Sequence, residues 1–337
     1  MRAHDRERSM RRREFLALAA GAVAMSPVPS RAQRTGAMAR IGVLWHAGSA
    51  EEEDVYLSVV KKAFSNLGYV EGKTIILEHR FPAEKAELFR SMAQELAASK
   101  PDAIIAVTEL GARELRSATQ TIPIVLVLAP DPVAAGLVDS LPHPGGNVTG
   151  LSLMSVDLTG KRLALLKEAV ANLTRLTLMV DPKDPASRRV VSSSQAAAKE
   201  LGLELRVAEV PSPAAIESAL AELVASGSEA LLVGPGSMMF NERGRIGAFV
   251  SAKKIPTEVA VAEMVPYGPI LSYGPDFPDY FRRAVAYVDR ILKGAKPADL
   301  PVEQPSRFVL TINQKAARSM GLAIPPALLT SADDVLE

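Results

Sequence analysis

Apolar residues are laid along the chain in two alternating rhythms. Short continuous runs, Ile41 to Trp45, Ala103 to Val107 and Ile124 to Leu128, have the length and composition of strands buried on both faces of a parallel sheet. Between them the spacing shifts to the helical period. Val55, Val59, Val60, Ala63, Phe64 and Leu67 share one side of a helix over about 54–67, and Gly68 is placed to cap it. Thr74 to Leu77 predicts a further strand, and the spacing predicts helices over 86–98 and 112–119. Strands alternating with helices of this length imply βαβ units around a parallel sheet.

The stretch Thr121 to Ser152 organises the rest. Its apolar run stops at Ala129-Pro130-Asp131-Pro132, so a carboxylate falls just past a strand's carboxyl end, where open α/β sheets bind ligands. A short helical patch and a turn rich in Pro and Gly (Pro142, Pro144, Gly145, Gly146) follow, and a new strand starts at Val148. The pattern then repeats. Residues 175–180 echo 40–45, 199–203 echo 65–69, 228–233 echo 101–106 and 253–257 echo 120–124. Four echoes in the same order argue for two lobes of one architecture. A helix over 279–292, a strand near 308–311 and a helix over 313–320 complete the chain. They are too few for a third domain and are read as crossing between the lobes again. The expected fold class is α/β: two similar doubly wound parallel-sheet lobes joined by hinge crossings, the type I periplasmic binding protein architecture. Lobe 1 takes 39–150 plus about 276–305, and lobe 2 takes 151–275 plus about 306–337.

Composition agrees with a folded chain of two domains: 337 residues, 48% apolar and 23% charged. With no cysteine, disulfides, thiolate nucleophiles and cysteine-bound zinc or iron–sulfur sites are excluded. The N-terminus changes the picture more. Arg11-Arg12-Arg13-Glu14-Phe15-Leu16, a mild apolar stretch to Met25 and the small residues Ser30 and Ala32 have the parts of an export signal of the twin-arginine type. Cleavage is expected after Ala32, leaving a protein free in the periplasm that meets the twin-arginine translocase during export. Removing 1–32 takes away seven Lys/Arg and three acids, leaving 32 basic against 35 acidic residues, a net −3. No basic face for nucleic acid is expected.

Several motifs together resemble a known family. Arg40-Ile41-Gly42-Val43-Leu44, Leu67-Gly68-Tyr69-Val70-Glu71-Gly72, Asp131-Pro132-Val133, Pro144-Gly145-Gly146-Asn147-Val148-Thr149-Gly150-Leu151, Gly160-Lys161-Arg162-Leu163, Leu271-Ser272-Tyr273-Gly274-Pro275 and Asp299-Leu300-Pro301-Val302-Glu303-Gln304-Pro305 are similar to those of ABC-transporter substrate-binding proteins of the tryptophan/tyrosine type. The resemblance spans about Ala39 to Glu337. It implies a periplasmic receptor that delivers a small solute to a membrane permease and its ATPase; a monomer without cofactor is expected. It also places the first hinge crossing at Pro142 to Gly150. The solute is expected to be an aromatic or branched amino acid or a related organic acid.

An amino acid needs a partner for its ammonium, donors for its carboxylate and a wall for its side chain. Asp131 is the first choice for the ammonium, through a charge-assisted hydrogen bond; its competing role is to cap a turn. Gly48, Ser49 and Thr108 precede helices, whose free N–H groups favour an anion, and Glu109 and His46 adjoin the same strand ends. From the second lobe come Asp181, Gly236, Ser237, Glu263 and Tyr273. Asp181-Pro182 stands where the family usually has Asn-Pro, which puts an identical ligand in doubt. Trp45, Phe240 and Tyr273 are candidates for the wall, with Trp45 better read as core. Enzyme readings are weak. There is no Gly-x-Ser-x-Gly elbow, no phosphate-binding glycine loop and no pair of histidines at metal-ligand spacing, so no catalytic or metal residue is assigned. The alternative to transport is a receptor that reports its ligand to a membrane kinase.

Overall fold

The first apolar runs become β1 (Ala39–Leu44), β2 (Ile75–Arg80), β3 (Ala103–Thr108), β4 (Ile124–Ala129) and β5 (Val148–Ser152). In this computed structural model, which describes residues 38–153, 158–184, 186–305 and 307–337, they form one all-parallel sheet in the order β2-β1-β3-β4-β5. The export-signal stretch lies outside the described residues. The runs are continuous because both faces are covered. Ile105, Val107, Val125 and Val127 join one core; the alternate residues Ile104, Ala106, Ile124 and Leu126 join another. The first face also takes Tyr56, Val60 and Phe64 of α1 (Asp54–Asn66); the second takes Phe89, Ala93 and Leu96 of α2 (Ala86–Ala98) and Leu115 of α3 (Glu109–Ala118). α3 begins earlier than its apolar spacing predicts because the Thr108 hydroxyl caps it, accepting from the Gly111 N–H at 3.3 Å.

The second half builds the same pattern again, with α4 (Thr159–Ala169), β6 (Arg175–Val180), α5 (Ser187–Glu200), β7 (Glu204–Glu209), α6 (Ile216–Ala225), β8 (Ala230–Val233), α7 (Ser237–Asn241), α8 (Arg243–Lys253), β9 (Thr257–Val259) and β10 (Leu271–Pro275). Its sheet runs β12-β11-β10-β9-β8-β6-β7, where β11 is Phe308–Asn313 and β12 is Asp334–Leu336. Within it, β7-β6-β8-β9-β10 reproduces β2-β1-β3-β4-β5 place by place. This is the sequence repeat in topological form. β11 is antiparallel to β10, and β12 parallel to β11 at the edge.

The chain passes between the sheets three times, and the first passage differs from expectation. Pro142 to Gly150 is not a crossing: β5 still pairs with β4, so the chain leaves the first sheet only after Ser152. Gly150 explains why this strand looked like a hinge. It has φ +131°, and a Cβ there would lie 2.1 Å from the Leu126 carbonyl oxygen, at the point where the β4–β5 register shifts. It is a bulge inside a sheet. The helical patch expected after Asp131 is also a series of turns, in which Gly136 takes φ +66° and interrupts any helix. The second passage lies between β10 and α9 (Phe277–Leu292). α9 returns to the first sheet, where Phe281 stacks on Tyr56 at 4.6 Å and the Tyr280 hydroxyl donates to the Ser152 carbonyl at 2.9 Å. The third follows Glu303, which bridges to Leu151, and leads into β11. Among the described residues, no helix is long and apolar enough to cross a membrane.

Candidate functional site

Parallel strands deliver the loops after their carboxyl ends to one edge of a sheet. Here the two edges face each other. From the first sheet come His46 and Gly48 after β1, Glu84 after β2, Thr108 and Glu109 at the end of β3, and Pro130 after β4. From the second come Asp181 and Asp184 after β6, Pro235 to Ser237 after β8, and Tyr273 on β10. They line a cavity of about 800 Å³, within the usual range of small-ligand sites.

Of the residues singled out in the sequence, His46, Gly48, Thr108, Glu109, Asp181, Gly236, Ser237 and Tyr273 are brought together on this wall. Ser49, Asp131 and Glu263 lie outside it. Ser49 accepts from the Glu52 N–H at 3.4 Å. One oxygen of Asp131 caps the turn through the Ala134 N–H at 2.9 Å, and the other faces Arg189 of the second lobe at 3.4 Å. Glu263 accepts from the buried Tyr56 hydroxyl at 3.2 Å, tying α1 to the second lobe. Two of the N–H groups at these helix starts already have protein acceptors. Gly48 donates to Glu52 at 2.8 Å, and Gly111 to Thr108. Trp45 is fully buried, stacked on Phe81 and Phe281, and donates to His79 Nδ1 at 2.9 Å; it belongs to the core. Phe240 does face the cavity, with the Arg243 guanidinium 4.3 Å over its ring.

The wall is rich in acid: Glu52, Glu84, Glu109, Asp181, Asp184 and Glu242 stand against Lys85, Lys183 and Arg162. Burial, more than anything else, raises the Asp184 carboxyl to about 6; the Ala186 N–H opposes this, while Asp181, Glu109 and Glu84 add to it. His46 is buried between Glu84 (2.8 Å) and Glu53 (3.2 Å). Burial works against its charged form, but Glu53 and then Glu84 outweigh it, so its pKa is raised. Ala83 and Glu84 both take positive φ, 53° and 57°, and donate backbone N–H bonds to Ala47 and His46. Two successive non-glycine residues in this region are held only because the loop is pinned to the end of β1.

Sequence reading missed Glu84, Asp184 and Arg162 as wall residues. Glu84 and Asp184 sit in loops without periodicity, so only the folded loop brings them in. Arg162 is 1% exposed and bound to the fully buried Glu258 at 2.9 and 2.6 Å. An arginine in the first turn of a helix gives no sign of burial in the sequence, although it stands in the Gly160-Lys161-Arg162-Leu163 motif. Among the described residues, no group of three or more His, Asp or Glu side chains is arranged to hold a metal ion.

The family model for ABC transporter substrate binding proteins matches residues 49–336. A tyrosine-binding protein of Clostridioides difficile is 25% identical over 262 residues, covering 77% of this chain and 75% of its own. The crystal structure of an ABC domain from Streptococcus pneumonia in complex with L-Trp is 26% identical, with a TM-score of 0.81 over 89% of this chain and 100% of that one. A conserved domain protein from Vibrio cholerae gives the same identity, coverage and TM-score.

Proposed function

The chain belongs to the ABC transporter substrate binding protein family, and from that premise we propose that it is the periplasmic receptor of an importer for an amino acid. An aromatic or branched side chain fits best, with a related organic acid as the neighbouring class. The observation that carries this reading is the cavity between two sets of strand ends, acidic on much of its wall and backed by Tyr56, Phe240, Tyr273 and Phe277. The acids favour a ligand with an ammonium group over a simple anion. The rings offer a flat apolar surface to the side chain. A relative named as a tyrosine-binding protein and a relative solved with L-Trp support the same class.

In this reading His46, Gly48, Thr108, Glu109, Asp181, Gly236, Ser237 and Tyr273 surround the ligand, and the three passages between sheets act as the hinge. The signal over 1–32 directs export through the twin-arginine translocase and is cleaved near Ala32. The closed monomer is then recognised by a permease with its ATPase. Thermal unfolding of the mature protein against the twenty amino acids tests the ligand class. A ligand at one hundred times its Kd should stabilise the fold by about 2.7 kcal/mol. No shift with any amino acid would remove the amino-acid reading.

A further inference from the structure

Three Lys or Arg side chains stand on the cavity wall among the described residues. Lys85 and Lys183 are exposed, but Arg162 is 1% exposed. A guanidinium carries five N–H donors. Nε donates to Glu258 Oε1 at 2.9 Å, and Nη2 donates to Glu258 Oε2 and to the Val233 carbonyl, each at 2.6 Å. Nη1, with the remaining two donors, has no hydrogen-bond partner among the described residues. The group is held rigidly, since Glu258 also accepts from the Tyr273 N–H at 3.3 Å and so ties the pair to β9 and β10. A buried ion pair is costly to desolvate. At the wall of a ligand cavity, Nη1 can take an acceptor on an incoming molecule.

We propose that the Nη1 edge of Arg162 is the seat for a carboxylate on the ligand. The inference rests on the receptor reading above and sharpens its chemistry. In the first lobe the backbone donors at Gly48 and Gly111 are taken by Glu52 and Thr108. Arg162 is on α4, at the start of the second lobe. A zwitterion would therefore point its carboxylate at the second sheet and leave its ammonium to acids such as Glu84 and Glu109 of the first. One small molecule would thus hold both lobes by opposite charges.

Titration calorimetry on the refolded mature protein tests this with matched probes: L-Trp, L-Tyr and L-Leu, their carboxamides, and the amine-free acids indole-3-propionate and 4-methylpentanoate. The expected result is that acids bind about tenfold or more tighter than their amides, and that Arg162→Lys narrows this ratio of acid to amide affinity. An amide that binds as well as its acid overturns the seat and leaves the receptor reading standing. Binding of the amine-free acids without any amino acid supports the seat and overturns the amino-acid reading. Failure of every carboxylate in the panel overturns the seat. A folded Arg162→Lys that keeps the full acid-over-amide preference also overturns it. Should that variant fail to fold, the wild-type comparison of acid with amide still decides.

Discussion

Gly150 shows what one missing side chain can allow. Its φ of +131° and the 2.1 Å approach to Leu126 leave no room for a Cβ, so Gly150→Ala should destabilise the protein by about 3 kcal/mol or more, read as a fall in the urea midpoint or as insoluble expression. Asp184 is a second residue with a measurable signature. Its carboxyl ionises near pH 6 in the folded chain against 3.8 in an unfolded one. Between those values the folded state keeps a proton that the unfolded state has lost, so this group makes stability fall as pH rises through the window and adds no penalty below it. Asp184→Asn retains an oxygen for the Ala186 N–H and should gain on the wild type above pH 6 by on the order of 1 kcal/mol, with no gain at pH 4. Chemical unfolding without ligand at the two pH values checks it. Asp131 was legible as an acid at a strand end, but its pairing with Arg189 depends on where the other lobe comes to rest, which local sequence does not encode.

Among elements, the strands were the most readable. Ile41, Val43, Ile104, Ile105, Val125 and Leu126 are fully buried, so their apolar runs carry a signal that no loop carries. Helix starts were less readable, because α3 is begun by the Thr108 hydroxyl rather than by its apolar side. The repeat was readable as paired motifs and reappears as a shared strand order. The site was legible to the extent that strand ends supply it. What was hidden came from loops after β2 and β6 and from the buried face of α4. α9 illustrates an element whose role depends on contact at a distance. Tyr280→Phe removes the hydroxyl that donates to Ser152, next to the first passage, and leaves that buried carbonyl short of a donor. A loss of about 1–3 kcal/mol is expected in equilibrium unfolding.

At the scale of the molecule, the lobes meet through Tyr56 packed on Phe240 at 5.5 Å and through polar contacts that include Tyr56 to Glu263 at 3.2 Å, Arg243 to the Glu52 carbonyl at 3.4 Å and Arg189 to Asp131 at 3.4 Å. The last pair is half-exposed and should contribute little to stability. Arg189→Ala is expected to change the unfolding free energy by less than about 1 kcal/mol, read in equilibrium unfolding. Small-angle scattering offers the corresponding global measurement: ligand should reduce the radius of gyration of the mature protein, and an unchanged radius with a bound ligand would count against hinge closure.

The way the chain threads back and forth also bears on how it is made. The first sheet has all its strands by Ser152, yet the face carrying Tyr56 and Phe64 stays uncovered until α9 arrives after residue 277. The second sheet waits longer still, since β11 and β12 complete it and β12 ends at Leu336. On a ribosome that releases the chain from its N-terminus, neither lobe can finish on its own schedule. The first core closes only once α9 has emerged and the second only once β11 and β12 have, so each lobe of a nascent chain stays open to proteases until a segment far downstream of its first strand is made.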